Sequence, residues 1–305
     1  GPLSGFAGHY DHRWAGGRMV KRLEETVQDM FGVRHAVSYN SGTAALHACV
    51  AAAGIEPGDE VITTAFTWTA TPAAVLQQGA IPVFVDVTPD TFQIDPDLIE
   101  AAITPRTKAI LAVDLFGMPA DQDEIRAVAD RNGLRLIFDS AQTYGVKYKG
   151  RWAGTTGDVS MLSLNVHKQI QCGEGGIAVT DDDEIATRLR LVRNHGENII
   201  PGMGREDLPM QLGWNYRMTE VDAAIAAGEH YIAPSQNLML IDRETIAFKT
   251  IGAVPRRDPR QQSKGRLPVQ GWRAENRAAG RQPYAPTPEV VSPRRRLLRT
   301  TNTKL

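Results

Sequence analysis

Lys168 lies in the run Ser163-Leu164-Asn165-Val166-His167-Lys168-Gln169-Ile170-Gln171-Cys172-Gly173-Glu174-Gly175-Gly176. A short apolar strand, Val159 to Leu164, precedes it, and a second, Gly176 to Thr180, follows the glycine-rich turn. A lysine on a bend between two buried strands can lose the water around its amine. That disfavours the ammonium and leaves a better nucleophile. Such an amine can form a Schiff base with an aldehyde. The chemistry needs companions: a cradle for an anionic handle, an aromatic lid, and a carboxylate for a ring nitrogen.

Each companion has a candidate upstream, and each candidate also has a plainer reading. Ser41-Gly42-Thr43 precedes a helix beginning at Ala44, where free N–H groups, two hydroxyls and a glycine make an anion site. The same residues also read as an ordinary Ser/Thr helix cap. Ser163 could add a hydroxyl to that anion, or be a strand serine and no more. Trp68, in Phe66-Thr67-Trp68-Thr69, stands just past a strand and could stack on a ring or pack in the core. Asp139 ends an apolar strand, where a buried carboxylate needs a partner. A protonated pyridine nitrogen would be one; capping the following segment is the alternative. Gln142, on the next turn, could donate to a ring oxygen. His167 reads as structural or as lining the substrate edge. Asp181-Asp182-Asp183-Glu184 is expected to be the acidic first turn of a helix rather than a metal cluster. His195 lacks a ligand pattern, so no metal is assigned.

The elements that must position these residues alternate helix and strand from about Met19 to Gly228. Val20, Leu23, Val27, Met30 and Phe31 fall at helical spacing. Ala44 to Ala53 reads as a small-residue helix. Val61-Ile62-Thr63, Ile81 to Val87, Ala109 to Leu115 and Leu134 to Phe138 read as strands. Pro72 to Gln78, Asp95-Pro96 to Ile103 and Asp121 to Asn132 read as helices, the second with an Asp cap and a first-turn proline. Unbroken apolar strands between amphipathic helices predict an α/β fold with a mostly parallel central sheet covered on both faces. Ligands of such sheets bind beyond the carboxyl ends of the strands.

Composition narrows the partners. The 305 residues carry a net charge of −1, with no global attraction to nucleic acid or anionic membrane. No run is long and apolar enough to span a bilayer, and no secretory signal opens the chain. Gly1-Pro2-Leu3, without a methionine, reads as a processing scar or a truncation. Two cysteines, Cys49 and Cys172, lack the neighbours of a metal site and fit a reducing cytoplasm. The expected division is a large domain over residues 1–228 and an atypical Arg/Pro-rich tail over residues 229–305. No period survives past about Phe248, and such text cannot bury enough apolar surface to offset ordering entropy. It reads either as a basic tail for an acidic partner or as a frameshifted ending, and the abrupt break favours the second. A tail-driven nucleic-acid binder ranks last, since aromatics among the arginines are confined to Trp272 and Tyr284.

As an ordered set the motifs resemble the DegT/DnrJ/StrS family of pyridoxal-phosphate (PLP) aminotransferases of fold type I. The residues that carry the resemblance are Ser41-Gly42-Thr43-Ala44-Ala45-Leu46, Phe66-Thr67-Trp68, Asp139-Ser140-Ala141-Gln142, Ser163 with Lys168, Gly173-Glu174-Gly175-Gly176 and Gly213-Trp214-Asn215-Tyr216-Arg217-Met218. The resemblance covers about Leu3 to Ala227. The resemblance implies that Lys168 holds PLP covalently and carries the proton in transfer. Asp139 would pair with the pyridine nitrogen, Gln142 with the ring hydroxyl, and Trp68 would stack. Gly42, Thr43 and Ser163 would cradle the phosphate. Asn215 would reach the cofactor phosphate of a second subunit, making the site a homodimer feature. The implied reaction moves an amino group from glutamate or glutamine to a nucleotide-linked keto sugar or a cyclitol ketone, as in amino-sugar or antibiotic biosynthesis. A sugar dehydratase of the same fold would carry histidine in place of Lys168. The family's smaller C-terminal domain, which closes over substrate, has no counterpart in the Arg/Pro text. PLP binding is therefore expected ahead of full turnover, and a PLP-fold protein without turnover is the other reading.

Overall fold

The computed structural model describes residues 16–196, 211–232, 239–242 and 247–250, with side chains up to residue 228. All of these lie in one compact unit, Gly1–Val254. The basic text beyond falls outside the described residues.

Helix α1 (Arg18–Phe31) buries Val20, Leu23, Val27 and Phe31, the periodic face expected. It ends at Gly32, whose φ of 67° is the left-handed conformation that a helix C-terminus often needs. Strand β1 (His35–Tyr39) and helix α2 (Gly42–Ala52) follow. Ten residues of α2 are buried, and its alanines let it approach the sheet closely. Then come β2 (Glu60–Thr64), α3 (Ala70–Gln77), β3 (Ile81–Val85), α4 (Pro96–Ile99) with a 3₁₀ turn at Glu100–Ala102, β4 (Thr107–Val113) and α5 (Gln122–Asn132). Asp95 caps α4 through Asp97 N–H, with Pro96 in the first turn, as its sequence predicts. β5 (Arg135–Asp139) and the short hairpin β6 (Lys147–Tyr148) and β7 (Arg151–Trp152) lead to β8 (Val159–Ser163) and β9 (Gly176–Thr180). Helices α6 (Asp183–Arg193) and α7 (Glu220–Ile232) and a hairpin of β10 (Met239–Asp242) with β11 (Ala247–Thr250) complete the described chain. Helix α7 thus runs past residue 228.

Seven strands form one sheet in the order β1-β9-β8-β5-β4-β2-β3. β9 is antiparallel to both neighbours; the remaining pairs are parallel. Side chains alternate between two cores. Ala109 and Leu111 of β4 pack with α2, α3 and α6, whereas Ile110 and Ala112 pack with α4 and α5. The other half of that second face is covered by α1 and α7 over Leu162, Ile177 and Val179. Both faces are therefore covered over the central strands, as a mostly parallel sheet requires, while Ile81 and Phe84 of the edge strand β3 stay exposed. Among the described residues no helix is long and apolar enough to cross a membrane.

Register brings the candidate residues to one edge. Tyr39 of β1 pairs with Gly176, Gly176 pairs with Ser163, and Asp139 pairs with Val113 and Met161. The ends of β1, β8, β5 and β4 and the start of β9 therefore lie side by side.

Candidate active site

Asp139 is buried at the carboxyl end of β5. Thr71, also buried, donates 2.8 Å to its Oδ2, and the Ala141 N–H donates 3.2 Å to Oδ1. Thr67 and Thr71 share a further hydroxyl contact of 2.7 Å. Burial pushes the carboxyl up from its ordinary range; the Thr71 and Ala141 hydrogen bonds and the Lys168 charge pull it back. No helix follows Asp139; its capping bond closes only the tight turn to Ala141, so the plain capping reading accounts for one oxygen.

Lys168 is half-buried on the turn between β8 and β9, its N–H bonded to Asn165 C=O at 2.8 Å. Asn165 shapes that turn: its Oδ1 accepts from His167 N–H at 3.2 Å, and its amide donates to Glu174 at 2.9 Å. His167 is exposed beside it. Burial pushes the Cys172 thiol up to about 12, which leaves it unreactive as a nucleophile near neutrality.

The anion cradle forms where α2 meets β8. Ser41 caps α2 by accepting from Ala44 N–H at 3.1 Å, so the cap reading and the anion reading coexist. The N–H groups of Gly42 and Thr43 open the helix and have no intrahelical acceptor. A Cβ on Gly42 would sit 2.9 Å from Ser163 Oγ, so the glycine leaves the space that the Ser163 hydroxyl uses. Thr43 is exposed and Ser163 buried. Asn40, just before the cradle, donates through its side chain to Asn215 C=O at 3.2 Å, and its N–H donates to Tyr216 C=O at 2.9 Å. Asn215, with an exposed side chain, therefore stands at the same end of the sheet.

Trp68 is 75% exposed, which removes the core-packing reading. It stands between β2 and α3, in the segment that also supplies Thr67 and Thr71. Phe66, Phe92 and Phe116, all exposed, cluster nearby, with Phe66 at 5.2 and 6.1 Å from the other two rings. Gln142 accepts from Phe116 N–H at 2.8 Å through its side-chain oxygen, leaving its amide nitrogen as the end that can donate. The acidic run is helix-capping: Asp182 accepts from Glu184 and Ile185 N–H, and Asp181 and Asp183 bind Arg34. Among the described residues no group of His, Cys, Asp and Glu could hold a metal.

Two features escaped the sequence. Asp114, one residue past β4, is fully buried in a hydrogen-bond network. His47, inside α2, is fully buried between Tyr216 hydroxyl and Gln78, with Trp214 edge-on at 4.5 Å. A histidine in an alanine-rich helix and an acid after a strand were the only signals, and neither specifies a partner.

The arrangement defines a class: a parallel α/β sheet whose carboxyl edge carries a lysine, a buried carboxylate, an exposed aromatic and a helix-start anion cradle. These donors fit pyridoxal phosphate. Gly42, Thr43 and Ser163 suit its phosphate, and buried Asp139 suits a cationic ring nitrogen. The sequence profile of the DegT/DnrJ/EryC1/StrS aminotransferase family matches residues 9–229, and the chain belongs to that family. The penicillin amidase profile matches residues 169–305, overlapping the first. GDP-perosamine synthase of Caulobacter vibrioides is 43% identical over 213 residues, 70% of this chain and 56% of that protein. A pleiotropic regulatory protein of Geobacillus stearothermophilus is 42% identical over 68% of this chain and 55% of its own length. The chain thus spans about half the length of these relatives. Among solved structures, DesI in the presence of its TDP-sugar product is 41% identical with a TM-score of 0.65, covering 72% of this chain and 54% of that one. NtdA of Bacillus subtilis with bound PMP is 36% identical with a TM-score of 0.65, covering 71% and 49%. A GDP-4-keto-6-deoxymannose-3-dehydratase with a trapped PLP-glutamate geminal diamine is 31% identical, TM-score 0.65, covering 72% and 62%.

Proposed function

We propose that this chain is the cofactor-binding part of a PLP-dependent aminotransferase. It would move an amino group from glutamate or glutamine to a keto sugar carried on a nucleotide, or to a cyclitol ketone. The observation that carries this reading is the buried Asp139 at the end of β5, within reach of the Lys168 charge and at the same sheet edge as the Gly42, Thr43 and Ser163 cradle. PLP, when bound, supplies an electron sink for the carbon that gains or loses the amine. The protein's own groups hold and orient. The α2 start and Ser163 would hold the PLP phosphate, Asp139 would neutralise the ring nitrogen, Gln142 would donate to the ring hydroxyl, and Trp68 would exclude water from the site. Lys168 Nζ would hold the aldehyde end and serve as the group that carries a proton. Asn215 would complete the cradle of a second copy, so a homodimer belongs to this reading.

The relatives named for GDP-perosamine synthesis and for a TDP-sugar product support a nucleotide-linked sugar. The dehydratase reading is disfavoured because position 168 is lysine; the neighbouring His167 is exposed.

The test is reconstitution with PLP, borohydride reduction, intact mass and peptide mapping. A single phosphopyridoxyl adduct on Lys168, lost in Lys168→Ala, is expected. An adduct on another lysine, or none, overturns the assignment. Offering glutamate or glutamine with nucleotide-linked keto sugars then tests turnover.

A further inference from the structure

Among the buried carboxylates that the proposed chemistry leaves unused, Asp114 is the one bonded to the turn that carries Asp139 and Gln142. Asp114 Oδ1 accepts from Ala120 N–H at 2.8 Å and Oδ2 from Ser140 Oγ at 2.7 Å. Thr143 Oγ1 and Gln122 Nε2 lie at 3.4 Å from the same carboxylate, and Gln122 Oε1 accepts from Thr156 at 2.7 Å. Burial pushes this acid up to about 6 despite those donors. Burying an acid is costly, and hydrophobic side chains could fill the space, so its presence asks for a purpose.

Its partner Ser140 is itself fully buried and lies in the turn from Asp139 to Gln142. The exit of β4 grips this turn at three points. Asp114 N–H donates to Asp139 C=O at 2.9 Å, the Asp114 carboxylate takes the Ser140 hydroxyl, and Phe116 N–H donates to Gln142 Oε1 at 2.8 Å. Phe116 holds a left-handed φ of 55° to do so. The two residues read as facing the cofactor ring, Asp139 and Gln142, are thus templated by the loop that leaves β4.

We propose that Asp114, through the Ser140 hydroxyl, is a positioning residue that fixes the aim of Asp139 and Gln142 toward the cofactor ring. This rests on the PLP reading above. A hydroxyl bond to a buried carboxylate is directional, so it sets the turn's orientation as well as its stability. A group that only stabilises the fold would change unfolding and leave ligand affinity alone; a positioning group changes affinity in a protein that remains folded.

The test measures the PLP dissociation constant by absorbance, beside urea unfolding of the PLP-free protein, for the wild type, Ser140→Ala and Asp114→Asn. Ser140→Ala leaves Asp114 bonded to Ala120 and Gln122, and Asp114→Asn keeps the side-chain shape. Either folded variant is expected to bind PLP about ten-fold more weakly with a shifted absorbance maximum. In a Gln142→Ala background the Ser140→Ala effect should shrink, because the two changes spoil one aim. An unchanged dissociation constant in a folded variant, or full additivity with Gln142→Ala, overturns the proposal. Wild-type protein that binds no PLP overturns the underlying functional reading, and is seen before any variant is made.

Discussion

Thr71, in the first turn of α3, donates its hydroxyl to Asp139 Oδ2 across 2.8 Å, both side chains being buried. The bond ties the segment that carries Trp68 to the strand end that carries the carboxylate. It also acts on the protonation of Asp139, since it is the largest of the influences that offset burial.

Thr71→Val should therefore raise the Asp139 carboxyl further. Because the folded-state value already lies above the unfolded one, the ionised carboxylate costs stability once the pH exceeds the ordinary aspartate range. Removing a donor enlarges that cost. The variant should lose about 1–3 kcal/mol at pH 7 and less at a pH below the ordinary aspartate range, where the acid is protonated in both states. Urea titrations at the two pH values measure the difference. An equal loss at both would mean that packing rather than ionisation dominates.

Glu24 and Arg193 supply a second prediction, remote from the site. Their ion pair is buried at 2.7 Å, and Glu24 Oε1 also accepts from Ser38 N–H and hydroxyl at 2.8 and 2.9 Å. Glu24→Ala leaves a buried guanidinium without its carboxylate and should cost about 3–5 kcal/mol. Domains commonly have only about 5–15 kcal/mol in total, so the variant should unfold at much lower urea concentration.

His47 predicts the acid limb of stability. Burial pulls its pKa down from 6.5 to about 4, the Gln78 hydrogen bond opposing. The folded state thus prefers the neutral ring. Its stabilising contribution is complete above pH 6.5 and is lost as pH falls from there towards 4. Asp114 acts in the opposite sense: with its pKa raised to about 6, it favours folding below the ordinary aspartate value and loses that contribution as pH rises through 6. His47→Gln takes up no proton in this window and leaves the Asp114 contribution unopposed, so its urea midpoint should rise relative to wild type as pH falls from 6.5 to 4.

Much of this fold was legible because its signals are local. Alternation of apolar strands with periodic helices gave the sheet, and Asp95-Pro96 marked α4 through its own cap. Lys168, Asp139, Gln142 and Ser163 were legible as strand-end residues, since strand ends are where a parallel sheet places ligands. Other features depend on tertiary pairing. His35–Tyr39 carries little periodic signal, and becomes a strand because β9 pairs with it. Pairing also sets boundaries: the strand read from Ala109 begins at Thr107 and ends at Val113, where Leu115 turns off to bridge Met118. Asp114 and His47 could not be read as buried, because Ser140, Gln78 and Tyr216, which bond them, meet them only through the tertiary fold.

Gly42 allows the phosphate cradle to be tested without touching the ring. A Cβ there would lie 2.9 Å from Ser163 Oγ and 3.1 Å from Ser163 Cβ, so Gly42→Ala must push the serine aside. Alanine suits a helix better than glycine by about 1 kcal/mol, which offsets part of that strain and keeps the chain folded. The displaced hydroxyl and narrowed helix mouth should weaken PLP binding by about ten-fold while pyridoxal, which lacks the phosphate, is weakened far less. Dissociation constants for both compounds against wild type and Gly42→Ala give the comparison. A uniform loss for the two ligands would mean that Gly42 serves the fold, and the phosphate would then have to sit elsewhere on the strand edge.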